Sequence, residues 1–583
     1  MATKDQQRMV AAFERGRKKL NLPELFRVYH NHALRVTREH STSDALEPGY
    51  RATRAKYIPE RIVEWQDFPV LHDELWQVIR KMPLWQLQCH QYPDLPDLDD
   101  GQGTSKLFPF EVSALQLHLE TVIQPLNKLI RQLCATDFVA AKYGQADHIQ
   151  YESDGLPGGL LVWKRNEWHK PGVTVVELDR DTMTLPVLIT GYSMMLKEGK
   201  IIVRSPRRFA QAAHWVVVAA VGEVYTDMMQ LGLRHGYVFM ADACIFLHVS
   251  PDEPAIVKSH LFVPRLDVPD VHDDHRVADT IVPQMLTFVL SSLNTFPPKQ
   301  EWFRSQKHLR RFPEELRCVE ISTRASRDTP EALRTYIRYR SVRERLTNRS
   351  VLPKPHQLVE DYGRIREGYC SMRCMQSLFL GEHIDPNCTN AVSHGERGQK
   401  HPLSREDLLA RLKEQIDHDP DCSLEQLHIR GSSGYMLKAI LRPYQYIVIV
   451  KAVEESCVRY LLHEVNVYDH LRHLQGSYVP VCLGYFRPKQ SYVYHGSKTV
   501  AMMVMSYAGL RVDFDLSGIA LPDRDWEQEA RACVDKLRAE GAFIDHFAMR
   551  NFLYCPDVDR VLAIDLERYI VQREVEGAER KKT

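Results

Sequence analysis

Apolar and polar positions follow several distinct rhythms along this chain, and the changes of rhythm mark its organisation. Up to about Cys134 the spacing is mostly helical. Gln6 to Leu20 is a charged amphipathic stretch, and Val112 to Leu133 repeats apolar residues at helical spacing. From Phe138 to Leu293 the pattern is that of an α/β layer. Val173-Thr-Val-Val reads as a buried strand and Phe209 to Leu231 as a long helix. Tyr237-Val-Phe-Met and Ala243-Cys-Ile-Phe-Leu-His-Val read as paired short strands, and Ile281 to Leu293 as a closing helix. Beyond Leu424, strand-like runs return around a glycine turn. The expected fold class is multidomain α/β and α+β, with a mostly helical segment at 1–135, an α/β domain at 136–300, a basic linker at 301–365, a Cys/His segment at 366–410 and a last domain at 411–575.

A chain of 583 residues exceeds what one hydrophobic core serves, and 44% apolar with 26% charged residues is the composition of folded domains. Lys+Arg and Asp+Glu balance at 76 each, which removes any whole-chain case for nucleic acid or an anionic membrane. The arginines at Arg334, Arg338, Arg340, Arg343, Arg345 and Arg349 read as a solvated linker helix in preference to a nucleic-acid contact. Neither a signal peptide nor a bilayer-length apolar run is visible, so an intracellular protein, cytoplasmic or nuclear and without a membrane partner, is expected. Twelve cysteines spread over this length imply free thiols, with any local cluster suited to a metal.

The last third carries the clearest chemistry. Val448-Ile-Val-Lys451 is an apolar strand ending in lysine, and Glu464 lies on the following helix beside Leu461, Val465 and Tyr468. A protein-kinase fold needs this pair, because the lysine orients the α/β-phosphates and the glutamate fixes the lysine. Gly431-Ser-Ser-Gly434 between two strands suits a turn over phosphates, although a plain hairpin explains it equally well. Ala501 to Gly509 reads as a strand and hinge for an adenine, and Asn551 with Asp565 supplies the oxygen donors for magnesium on ATP. His546 occupies the position where a kinase has its acceptor carboxylate, with Asp545 beside it. Only 18 residues follow Asp565, too few for an activation segment and peptide-binding helices, so protein phosphorylation is not expected.

Three segments carry a family resemblance. The run His463 to Gly476 with Val479-Pro-Val-Cys-Leu-Gly484 and the ending Ile564-Asp-Leu-Glu-Arg568 resemble fungal proteins that join a restriction-nuclease-like domain to a minimal kinase-like domain, the architecture of the Spok spore-killer proteins. The second segment holds Cys370, Cys374, Cys388 and His394, with His401 as a substitute ligand. Three thiolates and an imidazole are how structural zinc is held. In the third, the resemblance implies a PD-(D/E)xK nuclease-like site at Asp147, Glu177 and Asp179, where Asp179 stands in place of the expected lysine. Glu223 and Asp227 fall at helix positions where such nucleases carry Gln and Tyr.

The leading expectation is an ATP-binding, kinase-like protein with degraded nuclease-like and kinase-like sites, acting as a regulatory or toxin/immunity-type factor with a protein partner. An active small or atypical kinase using Lys451, Asn551 and Asp565, and a metal-dependent nuclease, are the alternatives.

Overall fold

The computed structural model describes residues 19–39, 49–87, 90–91, 118–134, 148–152, 159–165, 168–178, 183–197, 209–240, 242–269, 276–293, 298–321, 368–395, 399–431, 433–494, 497–512, 524–544 and 547–571, with isolated positions between them. The chain packs as two compact units, Met1–Pro298 with Ser305–Gln357 and Lys299–Arg304 with Leu358–Thr583. The fold is mixed, with helices and several sheets. Among the described residues no helix is long and apolar enough to cross a membrane. The arginine run at 334–349 lies outside the described residues.

The first unit is organised by a seven-stranded sheet. Its strands are β1 (Arg61–Glu64), β2 (His148–Glu152), β3 (Gly159–Arg165), β4 (Trp168–Glu177), β5 (His235–Met240), β6 (Ala243–Val249) and β7 (Ile256–Phe262), in spatial order β1-β7-β6-β5-β4-β3-β2. The helices are α1 (Leu22–Glu39), α2 (Asp67–Ile79), α3 (Gln124–Leu133), α4 (Leu185–Lys197), α5 (Phe209–Leu231) and α6 (Ile281–Leu293). Strands β2, β3 and β4 form an antiparallel meander. After the α4–α5 crossover, β5 pairs parallel with β4.

Helix α5 is apolar on most of its faces, with Glu223 and Asp227 the charged exceptions, and is buried along almost its whole length. Gly191 lets α4 approach it closely, since a Cβ there would lie 2.2 Å from the Ala213 carbonyl oxygen. Alternation along β4 sends Thr174 toward α5 and puts Val173 and Val175 into the other core, shared with Tyr237, Phe246 and Phe288. The N-terminal segment, expected to be mostly helical, also contributes β1, which pairs parallel with β7. A four-residue edge strand is too short to show a period-two pattern above its helical surroundings.

The second unit carries α7 (Met372–Leu380), α8 (Arg405–His418), β8 (Leu424–Arg430), β9 (Tyr435–Leu441), β10 (Tyr446–Glu454), α9 (Val458–His470), β11 (Cys482–Phe486), β12 (Tyr492–Tyr494) and β13 (Ser497–Met505). The sheet order is β8-β9-β10-β13-β11, with β12 pairing β13. Helix α9 buries Leu461, Val467 and Tyr468. Helix α10 (Trp526–Ala539) follows, then β14 (Ala542–Ile544), the hairpin β15 (Phe552–Cys555) and β16 (Arg560–Ala563), and β17 (Tyr569–Val571), which pairs β14. Side chains close the helix starts: Ser371 caps α7, Ser404 and Asp407 form a capping box on α8, and Asp525 caps α10.

Gly509 marks where the chain leaves β13. Its φ is +98°, and a Cβ would fall 1.9 Å from the Tyr554 carbonyl oxygen, so both backbone and space demand glycine. Gly509→Ala is expected to destabilise this unit by more than about 2 kcal/mol. An unchanged urea-unfolding midpoint would contradict this.

Candidate functional site

Strand register places Lys451 between Met436 on β9 and Met503 on β13, deep in the second unit's sheet. It is only 4% exposed. An ammonium at that depth is stable only when paired. Its Nζ donates to Glu464 Oε2 at 2.7 Å, to Asp565 Oδ1 at 2.7 Å and to Glu567 Oε2 at 3.4 Å. Burial opposes the charged lysine, but the Glu464 and Asp565 carboxylates outweigh it and push the pKa above its ordinary value. Glu464 is itself buried on α9, and burial raises its carboxyl against the pull of Lys451. Its second oxygen accepts the Leu566 backbone N–H at 3.1 Å, which ties α9 to the segment carrying Asp565.

Asp565 sits at φ +60°, in the left-handed region that costs a non-glycine residue energy. The hairpin before it and the Glu464 bond after it hold it there. Phe552 pairs with Ala563, and the Ile564 N–H donates to the Asn551 carbonyl at 2.9 Å, so Asn551 and Asp565 leave the hairpin at the same end. The glycine turn is tight, with the Gly431 N–H donating to the Gly434 carbonyl at 2.8 Å, and a Cβ on Gly434 would lie 2.8 Å from the Ala452 oxygen of β10. Ser433 Oγ donates to Glu567 Oε2.

Ser433 and Glu567 therefore join the site, although sequence reasoning assigned them no role. Glu567 lies two residues from Asp565, which is the one signal that could have found it. Glu464, Asp565 and Glu567 place carboxylate oxygens within 4.8 Å of one another, a hard-oxygen set suited to magnesium. Asp545 and His546 lie outside the described residues.

A second cluster sits in the same unit. Cys370, Cys374, Cys388 and His394 are all buried, with their ligand atoms within 4.8 Å of one another. His394 Nε2 is 3.4 Å from Cys370 Sγ and 3.5 Å from Cys388 Sγ. Its Nδ1 faces the Tyr444 carbonyl at 2.7 Å, which fixes the hydrogen there and leaves Nε2 as the ligand atom. Tyr446 stacks on the ring at 4.1 Å. Contact among the three thiols, led by Cys370, pushes Cys374 up and Cys388 down. Three sulfurs and one nitrogen fit tetrahedral zinc. His401 stands aside, bonded to Ser377 and Tyr446.

In the first unit, Glu177 ends β4 with both oxygens engaged. Oε1 accepts from His118 Nδ1 at 3.1 Å and Oε2 from the Tyr151 hydroxyl at 3.2 Å, while His118 Nε2 meets the Tyr237 hydroxyl at 2.7 Å. Burial, and then the Glu177 charge, push the Tyr151 phenol up, so it remains a donor. Asp147 and Asp179 lie outside the described residues. Glu223 and Asp227 face the other side of the sheet: Asp227 approaches Thr174, and Glu223 accepts from Thr53 Oγ1 at 2.8 Å.

No family model matches the chain. In sequence the chain is similar to "Meiotic driver SPOK2" of Podospora anserina, 25% identical over 423 residues, which cover 61% of this chain and 53% of the relative. The chain thus spans about half the length of that curated relative.

Two predictions follow from these geometries. Purified protein is expected to hold about one equivalent of zinc, lost in Cys374→Ser and His394→Ala. Metal analysis finding less than half an equivalent, with the cysteines unoxidised, would count against it. Burial, with a smaller contribution from Glu223, raises the Asp227 carboxyl from 3.8 to about 7. The native state therefore keeps a proton that the unfolded chain releases, so this group's contribution to stability is full below 3.8 and is lost as pH rises to about 7. Asp227→Asn is expected to flatten that fall, and equal pH slopes of stability in the two proteins would argue otherwise.

Proposed function

We propose that the second unit is a kinase-like nucleotide-binding domain, and that the chain acts as a spore-killer-like factor of the regulatory or toxin/immunity type. The observation that carries the nucleotide reading is the buried Lys451 ammonium shared between Glu464 and Asp565. Such a charge has no packing purpose that a leucine would not serve better, whereas a phosphate-orienting lysine must be held in this way. The surroundings support the reading. A five-strand antiparallel path with one packed helix precedes α10, and a hairpin then presents Asn551 and Asp565 together.

In this proposal Lys451 holds the phosphates of ATP, and Asp565 and Asn551, joined by Glu567, hold its magnesium. Glu464 keeps Lys451 in place, and Gly431 and Gly434 allow the turn to approach the phosphates. With His546 in the acceptor position, the domain binds nucleotide better than it transfers phosphate. The intact lysine, glutamate and aspartate set favours a second reading, an active small or atypical kinase, which ATP turnover abolished by Asp565→Ala would promote.

The first unit's helix, three-strand meander, crossover helices and parallel strand support a restriction-nuclease-like fold. The engagement of both Glu177 oxygens by His118 and Tyr151 supports a degraded metal site in it. The likeness to a protein described as a meiotic driver supports the spore-killer-like role.

Magnesium-ATP is expected to raise the melting temperature of the full chain by several degrees, and Asp565→Ala to abolish the rise. No shift in the parent protein with or without magnesium would remove the nucleotide-binding reading.

A further inference from the structure

On the side of the first unit away from Glu177, the segment from Thr53 to Ile58 and that from Arg310 to Arg317 run together against α5. The Thr53 N–H donates to the Arg317 carbonyl at 2.8 Å, the Phe312 N–H to the Lys56 carbonyl at 3.0 Å, and the Ile58 N–H to the Arg310 carbonyl at 3.0 Å. Thr226 of α5 anchors them by accepting the Lys56 and Tyr57 backbone N–H groups at 2.9 and 3.0 Å. These backbone bonds fix the walls of a pocket of about 620 Å³.

Four cationic side chains line it: Arg54, Lys56, Arg311 and Arg317. Arg54 is paired with Glu223 at 3.6 Å. Among the described residues, Lys56, Arg311 and Arg317 form no ion pair, and Glu314 is the one acidic side chain of the lining besides Asp227. Two lining atoms are buried without a hydrogen-bond partner, Arg317 Nε and Asp227 Oδ2. Asp227 is 4% exposed, and burial keeps its carboxyl up at about 7, so near neutrality a large share of it is an uncharged acid with a hydrogen to donate. Phe312, fixed edge-on to Trp215, gives the pocket an apolar wall. Surface cations alone would be content in water. A buried guanidinium nitrogen and a buried carboxyl oxygen without partners are not, and each lacks a polar group of the opposite kind.

We propose that this pocket binds the phosphoryl groups of a small molecule, of the diphosphate class in charge, with Arg311, Arg317 and Lys56 neutralising the anion and the Asp227 carboxyl donating to one of its oxygens. Several cations from two chain segments suit a compact multiple charge better than a single carboxylate does. The floor at Asp227 is buried behind the rim, which suits a small ligand in preference to the backbone of a nucleic-acid duplex.

The test is calorimetric titration of the full chain with inorganic pyrophosphate free of divalent cations. Binding is expected in the parent protein, weaker by about tenfold in each of Arg311→Ala and Arg317→Ala. Arg311 is exposed, so its removal leaves the fold intact, which thermal unfolding verifies. Asp227→Asn, neutral and still a donor, is expected to bind within about threefold of the parent. No binding in the parent would leave water as the occupant and overturn the proposal. So would loss of binding in Asp227→Asn, pyrophosphate binding that Arg311→Ala and Arg317→Ala leave unaffected, tighter binding of a tricarboxylate, or displacement of pyrophosphate by duplex DNA.

Discussion

One buried positive charge governs the architecture of the second unit. Lys451 lies in the middle of a sheet, and the carboxylates that make its burial tolerable come from two other places in the chain: Glu464 from α9, and Asp565 and Glu567 from the segment after β16. If any partner is removed, the remaining charges are stranded at low dielectric, which costs several kcal/mol. The sheet, the helix and the segment after the last hairpin are therefore tied together at one point by this ion network, within the apolar core that packs them. The glycine turn belongs to the same network, because Ser433 reaches Glu567 and Glu567 reaches the lysine.

The Cys/His cluster is built into this unit. The Cys370 N–H donates to the Ile447 carbonyl, the Ile447 N–H points back at Cys370 Sγ, and His394 is held by the Tyr444 carbonyl. Tyr369, one residue from the first cysteine, stacks on Tyr507 just after β13 at 4.2 Å with the rings nearly parallel. The cluster and the segment after β13 are thus joined through one ring stack.

Much of this was legible in the sequence where a residue type or a long period announces itself. Helix α5 stood out because a long apolar run admits little else, and the cysteines and His394 stood out because few roles other than metal binding gather such side chains. Lys451 and Glu464 were legible because a lysine at the end of an apolar run demands an explanation. What stayed hidden depended on distance. His118 lies far upstream of Glu177, in a stretch whose pattern says only helix, and nothing local announces that it will cap that carboxylate. Ser433 and Glu567 are ordinary polar residues until the fold brings their turns together. The pocket under Arg311 and Arg317 joins segments from opposite ends of the first unit, which no local pattern can reveal.

Strand β1 is an edge strand whose partner comes much later in the chain. Among the described residues Arg61–Glu64 pairs with Ile256–Ser259, so the edge of the large sheet closes across the 195 residues of chain that separate Arg61 from Ile256. During synthesis the early strand has no sheet partner here until β7 has been made. A fragment that begins after the N-terminal helices would present β7 as an open edge, ready to pair with a neighbouring chain.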